Sequence, residues 1–386
     1  MASVHIAESS EELDPVLAAW DALAVEQRRP LLRPDWQLAW WRARCLEGHS
    51  DDGLRVAVVC DAHGLAGVAP MFMEGSRTRV PHLRFLGESV FYGGVPLVRS
   101  DVADETIRTL AAAIATMRPR PSILSFELID VDSRWPDALV RAWPPSGAWV
   151  RRGVATTAVA VGLGGTLEEW VQTRPRKWRS DYRRRPRRFA EIGGIIRRAR
   201  SGQEVSRGLS ALIRLHNGRR SHESEWVNPV LERTFREAGE RLVTVNGFRL
   251  WTIEVDDLVI GATAFAAAGG AVTTLFTGFD PAWGRFAPGL RSMIAGIEES
   301  FRLGEERVDL GYGGYPYKLK LANEVRSISS YEMFARGHRY PLVRAHELPR
   351  HARERFIEGR VRLRARSRFL DARNRIVAKR ARSASR

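Results

Sequence analysis

The chain has 386 residues, of which 44% are hydrophobic, so it is long enough for two domains that each bury a core. Its two cysteines exclude a disulfide framework. The formal net charge of +16 at pH 7 favours acidic partners. All but four of the 61 basic residues are arginine, a bias that a GC-rich genome also produces.

Basic residues concentrate in two segments of the chain. Residues 174–200 have a net charge of +10 and residues 344–386 a net charge of +11, so the remainder is slightly acidic at −5. Two local elements, rather than the whole surface, therefore carry the positive charge and are the candidates for contact with a polyanion or an anionic membrane.

Helices and strands alternate in the first half of the chain. Apolar spacing predicts helices over 11–26, 34–46 and 103–117, and strands over 55–60, 65–72 and 122–129. The run Pro144-Pro145-Ser146-Gly147 breaks this pattern and predicts a domain border near residue 150.

A second alternating series follows this border. Thr166 and Glu169 have the spacing of a capping box at a helix start. The next helix is basic and extends to about Glu191, although Pro186 should kink or end it. The remaining predictions are helices over 204–217, 229–238 and 288–303, and strands over 156–161, 195–199, 242–245, 248–255, 259–268, 272–279 and 307–310.

Residues 258–279 form an uncharged segment of 22 residues, which is long enough to span a bilayer. Gly269-Gly270 lies midway between two runs rich in Thr, Val and Phe, and such a pair is typical of a hairpin turn. The segment therefore predicts two buried strands joined by a hairpin.

An anion site is predicted where the loop 280–287 leads into Pro288-Gly289-Leu290. Proline suits the first position of a helix, and glycine lets the backbone approach a ligand. The free N–H groups and the positive dipole end of a helix start favour phosphate. A donor that carries a pyrophosphate, such as an acyl-CoA, is the natural ligand for this site.

Four short motifs resemble a known family when they are taken in order. They are Gly278-Phe279-Asp280-Pro281, Ala287-Pro288-Gly289, Asp309-Leu310-Gly311 and Tyr317-Lys318. The chain resembles GNAT-type acyltransferases of the CelD/BcsL group, which are relatives of the Fem peptidyltransferases. The resemblance implies an α+β fold of two tandem GNAT-like domains with mixed sheets, over 1–150 and 151–345, followed by a basic helical tail over 346–386.

The resemblance also implies direct attack of an amine on the acyl donor. Lys318 would neutralise phosphate or the oxyanion, and Tyr317 would donate a hydrogen bond or shuttle a proton. Asp309 would orient the amine or accept its proton, and alternatively it caps the following turn. His216 would act as a group poised near neutral pH, and alternatively it is a helix-end residue.

Binding residues are implied on the same basis. Backbone N–H groups of the strand 272–279 would contact the acyl carbonyl. The donor phosphates would bind at Arg285, Pro288, Gly289 and Leu290, where the chain matches the usual Arg/Gln-x-x-Gly-x-Gly/Ala pattern only in part. The acceptor would contact Asp280, Trp178, Arg179 and Arg220, although Asp280 before Pro281 is also suited to start a turn.

The basic tail predicts a long amphipathic helix over about 350–382. Phe356, Leu363, Leu370 and Val377 recur every seven residues on an otherwise basic segment, which favours peripheral contact with an anionic membrane. Docking on the protein itself and loose attraction to nucleic acid remain alternatives. No charged-then-apolar leader opens the sequence, so a cytoplasmic location is expected. No cluster of His and Cys has metal-ligand spacing.

The predicted function is an N-acyltransferase. It would move an acyl group from acyl-CoA, or from a carrier-protein thioester, to an amine of a cell-envelope or secondary-metabolite precursor that is lipid- or phosphate-linked. Two alternatives stay open: a Fem-like transferase that uses aminoacyl-tRNA, and a basic nucleic-acid-binding protein without catalysis.

Overall fold

A computed structural model describes residues 2–75, 80–87, 93–143, 147–218, 227–336 and 340–345. The chain divides into two compact units. The first contains the described residues of 1–24, 44–157 and 326–345, and the second contains those of 25–43 and 158–325.

The helices, in chain order, are α1 (Leu17–Glu26), α2 (Pro34–Leu46), α3 (Ala103–Thr116), α4 (Trp135–Ala142), α5 (Leu167–Gln172), α6 (Arg176–Ala190), α7 (Gly202–Gly218), α8 (Pro229–Leu242), α9 (Pro288–Arg302) and α10 (Pro316–Leu321). The strands are β1 (Ser3–Ala7), β2 (Gly53–Asp61), β3 (Gly64–Glu74), β4 (His82–Phe85), β5 (Leu97–Val98), β6 (Ile123–Asp130), β7 (Ala148–Arg152), β8 (Thr156–Gly162), β9 (Ile195–Arg198), β10 (Phe248–Val255), β11 (Leu258–Ala268), β12 (Ala271–Phe279), β13 (Arg307–Tyr312) and β14 (Glu324–Ala335).

In the first unit the strands follow the order β1-β2-β3-β4-β6-β14, with β5 beside β3 and β7 beside β14. One face of this sheet packs against α3 and α4, and the core there includes Met71, Phe126 and Leu110. The sheet is mixed, because β4 and β6 run parallel while the other neighbours are antiparallel.

In the second unit the strands follow the order β8-β13-β12-β11-β10-β9. Here β12 and β13 are parallel and the other pairs are antiparallel. The helix α2 packs into this unit, since Trp36 meets the rings of Phe235 and Phe248 at centroid distances of 6.1 and 5.9 Å. Both units thus contain a parallel strand pair joined by a helical crossover, α3 in the first and α9 in the second.

The predicted α+β fold with mixed sheets is confirmed. The Thr166 capping box is present, because the Thr166 side chain accepts from the Glu169 N–H while Glu169 accepts from the Thr166 N–H. The segment 258–279 forms β11 and β12, and both Gly269 and Gly270 have positive φ in the hairpin between them. Among the described residues, no helix is long and apolar enough to cross a bilayer.

Other predictions differ from the structure. Residues 242–245 are not a strand: the apolar stripe of Leu231, Phe235 and Ala238 continues to Leu242, so α8 extends and ends there. Pro186 does not end the basic helix α6, which continues to Ala190 as its predicted extent to about Glu191 requires. The compact units are discontinuous in sequence, because residues 25–43 belong to the second and β14 pairs within the first; the domain borders near 150 and 345 stay predictions.

The start of α9 lies very close to the sheet. A Cβ placed on Gly261 of β11 would come within 2.6 Å of the Pro288 Cβ and 2.8 Å of the Pro288 carbonyl carbon. Hydroxyl groups join the same elements: Thr263 Oγ1 lies 3.1 Å from Thr277 Oγ1 and 2.7 Å from Ser292 Oγ, which donates to the Gly289 carbonyl at 3.0 Å. These contacts fix the first turn of α9 over β11 and β12.

We expect Gly261→Ala to lower the free energy of unfolding by about 1–3 kcal/mol, because the added methyl group overpacks against the backbone of Pro288. Gly284→Ala is the matched control, since a Cβ at Gly284 meets nothing within 4 Å and its φ is ordinary. Urea denaturation of both variants measures the difference. Equal stability of the two variants would contradict the close approach.

Candidate active site

The parallel strands β12 and β13 pair over only three residues. The pairs are Ala271↔Arg307, Val272↔Val308 and Thr273↔Asp309, after which β12 keeps its partner β11 as far as Phe279. The Asp280 N–H donates to Ile260 of β11, so the preceding carbonyl, that of Phe279, points away from β11. The strands therefore separate toward their carboxyl ends, which is where open α/β sheets bind ligands.

The start of α9 lies at this same edge, because α9 follows β12 in the chain. Pro288 occupies the first turn and the N-cap residue Ala287 has a left-handed φ of 50°. The first turn contains no acidic residue, while Arg285 before it is exposed. Pro288 and Gly289 are buried and Leu290 is half-buried, so the N–H groups of Gly289 and Leu290, rather than side chains, are what this turn offers to an anion.

The corresponding edge of the first unit is different. There the Gly93 N–H donates to the Glu127 carbonyl of β6 at 3.3 Å, so the chain itself occupies the edge of the strand that lies parallel to β4. The first turn of α3 contains Asp104 and Glu105, which already complement its positive dipole end. These features favour the second unit as the one that binds an anionic donor.

Lys318 lies on α10, just beyond the carboxyl end of β13. Its Nζ donates to the Tyr312 carbonyl at 3.0 Å and lies 5.4 Å from the centre of the Tyr315 ring. Burial lowers the pKa of Lys318 to about 8, and the negative charge of Asp309 opposes that shift. The ammonium group is thus held near the strand end and is readily deprotonated.

Asp309 has the turn-capping geometry that the sequence left as an alternative. Its carboxylate is buried and accepts from the Gly311 N–H at 2.8 Å. Gly311 has a φ of 83°, and a Cβ there would approach Lys318 Nζ to 3.2 Å. Asp309 therefore shapes the turn that leads to Lys318 and favours its charged form; its part in orienting an amine remains a prediction.

Tyr317 and Asp280 each contact residues that are close to them in the sequence. Tyr317 is 43% exposed and its ring stacks near that of Tyr315 at 6.2 Å. The Asp280 side chain accepts from the Ala282 N–H at 2.9 Å and starts the 3-10 turn Pro281–Phe286. The structure thus gives Asp280 a turn-initiating contact, whereas Tyr317 is accessible beside Lys318.

His216 contacts β12, one of the two strands that separate at their carboxyl ends. Its Nδ1 lies 3.0 Å from the Thr277 carbonyl oxygen, which can only accept, so Nδ1 carries a proton and donates. The end of α7 approaches β12 closely here, because a Cβ on Gly278 would lie 2.8 Å from the backbone nitrogen of His216. The predicted His216 therefore lies next to β12, and this hydrogen bond fixes the orientation of its ring.

Two of the residues predicted to bind the acceptor make contacts within the protein. Trp178 is buried in the core, edge-on to Trp170 at 5.5 Å and stacked on Tyr182 at 5.1 Å, because it lies on the inner face of α6. Arg179 is half-buried and donates to the Gln172 carbonyl at the end of α5. Arg220 and the tail over 346–386 lie outside the described residues.

Sequence analysis gave no separate role to Arg174, which it counted within the basic segment 174–200. Arg174 is 3% exposed, and its Nη1 donates to the carbonyls of Leu321 and Ala322 at the end of α10. Trp170 Nε1 donates to the same Leu321 carbonyl at 3.2 Å. Burial lowers the pKa of Arg174 to about 10, so it stays charged at neutral pH and complements the negative end of the helix that carries Lys318.

Across the described part of the chain, no group of three or more His, Cys, Asp or Glu side chains is placed to hold a metal ion. The arrangement at the separated strand ends consists of backbone donors, a helix start without acids, and one lysine. It is suited to hold an anionic donor and to stabilise negative charge that develops at a carbonyl.

Residues 176–319 match a family model described as an acetyltransferase (GNAT) domain. This span contains the separated strands, α9 and Lys318, so the second unit contains a GNAT acetyltransferase-type domain. A search of curated proteins gives no match.

Solved structures share the fold over most of the chain. The crystal structure of FemX has a TM-score of 0.59 at 12% identity and covers 82% of this chain and 95% of its own. A conserved Bacteroides thetaiotaomicron protein of unknown function has a TM-score of 0.52 at 11% identity and covers 86% of this chain and 100% of its own. The structure titled as the C-terminal domain of a putative lysylphosphatidylglycerol synthetase from Agrobacterium fabrum has a TM-score of 0.51 at 11% identity and covers 87% of this chain and 96% of its own. At these identities the similarity shows the fold alone.

We expect Lys318→Ala to reduce turnover by about 10²-fold or more while leaving the melting temperature nearly unchanged. Burial disfavours the charged lysine, so its removal costs the fold little. Lys320→Ala, at an exposed position two residues away, is the matched control. A melting temperature lowered by several degrees in Lys318→Ala would indicate a packing role instead.

The same lysine predicts a pH dependence of kcat. Because the folded pKa is lowered to about 8, the ammonium and its stabilisation of an oxyanion are lost as pH rises through about 8. Between about pH 8 and the ordinary lysine pKa of about 10.4, the folded state binds fewer protons than the unfolded state. The free energy of unfolding should therefore rise with pH over this window. A pH–rate profile without a descending limb near 8 would exclude the cationic role.

Arg174→Gln should lower the free energy of unfolding by about 2–3 kcal/mol, because the buried carbonyls at the end of α10 lose a charged donor. Arg174→Lys should restore part of the loss, since it retains the charge. The control for stability is Arg176→Gln, at an exposed position of the same segment. If Arg174→Gln unfolds at the same denaturant concentration as the control, the hydrogen bonds from Arg174 to the end of α10 do not stabilise the fold.

Proposed function

We propose that this protein is an N-acyltransferase of the CelD/BcsL-like group. It moves an acyl group from acyl-CoA, or from a carrier-protein thioester, to an amine of a cell-envelope or secondary-metabolite precursor. The enzyme would work in the cytoplasm, peripherally at the inner membrane face where the acceptor is lipid-linked.

One observation carries this proposal. The carboxyl ends of β12 and β13 bring together a strand edge that lacks its parallel partner, the first turn of α9, and Lys318. A donor with phosphates on the helix start would extend its thioester along the edge of β12. The GNAT match over this span supports the same arrangement.

The reaction needs no covalent enzyme intermediate. The amine nitrogen attacks the thioester carbonyl, the C–N bond forms, and the carbonyl oxygen becomes an oxyanion. Backbone N–H groups of β12 and the Lys318 ammonium would stabilise that charge. The tetrahedral intermediate then breaks its C–S bond, the amine nitrogen loses a proton, and the thiolate leaves and is protonated. The chain mainly positions the two substrates, which is sufficient for a large rate gain.

A second candidate is transfer of an aminoacyl group from tRNA. The exposed arginines of α6 favour it, because they provide a positive face for a polyanion. Binding of nucleic acid without catalysis is less favoured, since it gives no role to the separated strands or to Lys318.

Thermal shift measurements separate the donors. At about one hundred times its dissociation constant, a donor that binds only the folded state stabilises by about 2.7 kcal/mol. We expect acyl-CoA to raise the melting temperature and Arg285→Gln to reduce that rise. Arg302→Gln, at the opposite end of α9 and 65% exposed, should not reduce it. No stabilisation by millimolar acyl-CoA, with stabilisation by charged tRNA, would select the second candidate.

A further inference from the structure

The outer face of α6 presents a continuous row of arginines. We call Arg176, Arg179, Arg183, Arg184 and Arg187 the arginine ridge. Their spacing places them on one side of the helix, over about 16 Å of its length at 1.5 Å per residue. Together with Ser180 they line an open concavity of about 580 Å³.

The ridge has little negative charge to balance it. Among the described residues, Asp181 contacts Arg184 at 3.3 Å, and no described acidic side chain lies within ion-pair distance of Arg176, Arg183 or Arg187. Unbalanced arginines on one face create a positive potential that attracts phosphate groups, and the guanidinium fork binds such groups in a bidentate manner. The positive charge of the ridge is larger than a single carboxylate could neutralise.

The inner face of α6 keeps the ridge turned outward. Trp178 and Tyr182 pack inward, and the Tyr182 hydroxyl donates to Glu298 of α9 at 2.6 Å. Burial raises the pKa of both Tyr182 and Glu298, which keeps the tyrosine proton in this bond. Phe189, after Pro186, is buried in a further core cluster. The ridge therefore cannot rotate into the core.

The two ends of α6 lie beside the two halves of the candidate site. Arg174, just before α6, binds the carbonyls at the end of α10, which carries Lys318. At the other end, Phe189 contacts the Phe286 ring at 6.5 Å and lies 4.8 Å from the Arg291 guanidinium in the first turns of α9. The helix that carries the ridge thus extends from the end of α10 to the first turns of α9.

We propose that the arginine ridge binds a diphosphate group carried by the amine acceptor. This inference rests on the proposed function, because it takes the ligand to be the second substrate of the same transferase. The start of α9 offers its N–H groups to the donor phosphates, so the ridge is left for the acceptor. The acceptor is then an amine on a diphosphate-linked molecule, either soluble or attached to a lipid.

The test compares two double variants that each lose two positive charges. Arg183→Gln with Arg187→Gln removes the centre of the ridge, and Arg108→Gln with Arg141→Gln removes exposed arginines from α3 and α4 of the first unit. Calorimetric titration with inorganic pyrophosphate at low salt should show on the order of tenfold weaker binding in the ridge variant only. Circular dichroism checks that all variants are folded.

Two further arms identify the source of the diphosphate. Preferential binding to phosphatidylcholine vesicles that carry an isoprenoid diphosphate supports a lipid-linked acceptor, and equal binding to free pyrophosphate supports a soluble one. Titration with CoA is expected to give the same affinity in the ridge variant and the control.

Three results would overturn the inference. They are equal pyrophosphate affinity in both double variants, loss of CoA affinity together with pyrophosphate affinity in the ridge variant, and tight ridge-dependent binding of an RNA oligonucleotide that pyrophosphate does not displace. If the unmodified protein binds pyrophosphate through the ridge but binds no acyl-CoA, then the proposed donor fails while the ridge site stands.

Discussion

The close contact between the first turn of α9 and the sheet is the constraint on which the candidate site depends. Gly261 and Gly289 have no side chains, so the start of the helix can lie directly on β11 and β12. The hydroxyl groups of Thr263, Thr277 and Ser292 then hold it there. Because α9 starts at the carboxyl end of β12, this contact also brings its N–H groups to the edge where β12 and β13 separate. One contact therefore fixes both the packing of α9 and the position of the N–H groups that we propose for anion binding.

Local sequence signals predicted most of the fold. The helix start at Pro288, the capping box at Thr166 and the Gly269-Gly270 hairpin depend on neighbours within a few residues, and all three are present. Residues 242–245 were assigned to the wrong class because a run of four residues, three of them apolar, is too short to show a clear period. Tertiary pairing was beyond reach: nothing local indicates that residues 25–43 pack into the second unit while β14 pairs within the first.

The candidate site was predictable in its outline and not in its side-chain roles. The sequence pointed to Lys318, Asp309, His216 and the α9 start, which all lie in the second unit. It could not distinguish an arginine that faces solvent from one that is buried, and so Arg174 was given no separate role. The four-residue spacing of Trp178 and Tyr182 places both on one face of α6, and that face packs inward; a role for Trp178 at the acceptor stays a prediction.

The way in which the chain is divided between the two units has a consequence for biosynthesis. The strand β14, which lies between β6 and β7 in the first sheet, is encoded after the whole of the second unit. A ribosome that works from the amino terminus therefore delivers α3 and β6 long before the strand that completes their sheet. The second unit has all its own residues by position 325 and can finish folding first, so the nascent first unit must wait with an incomplete sheet.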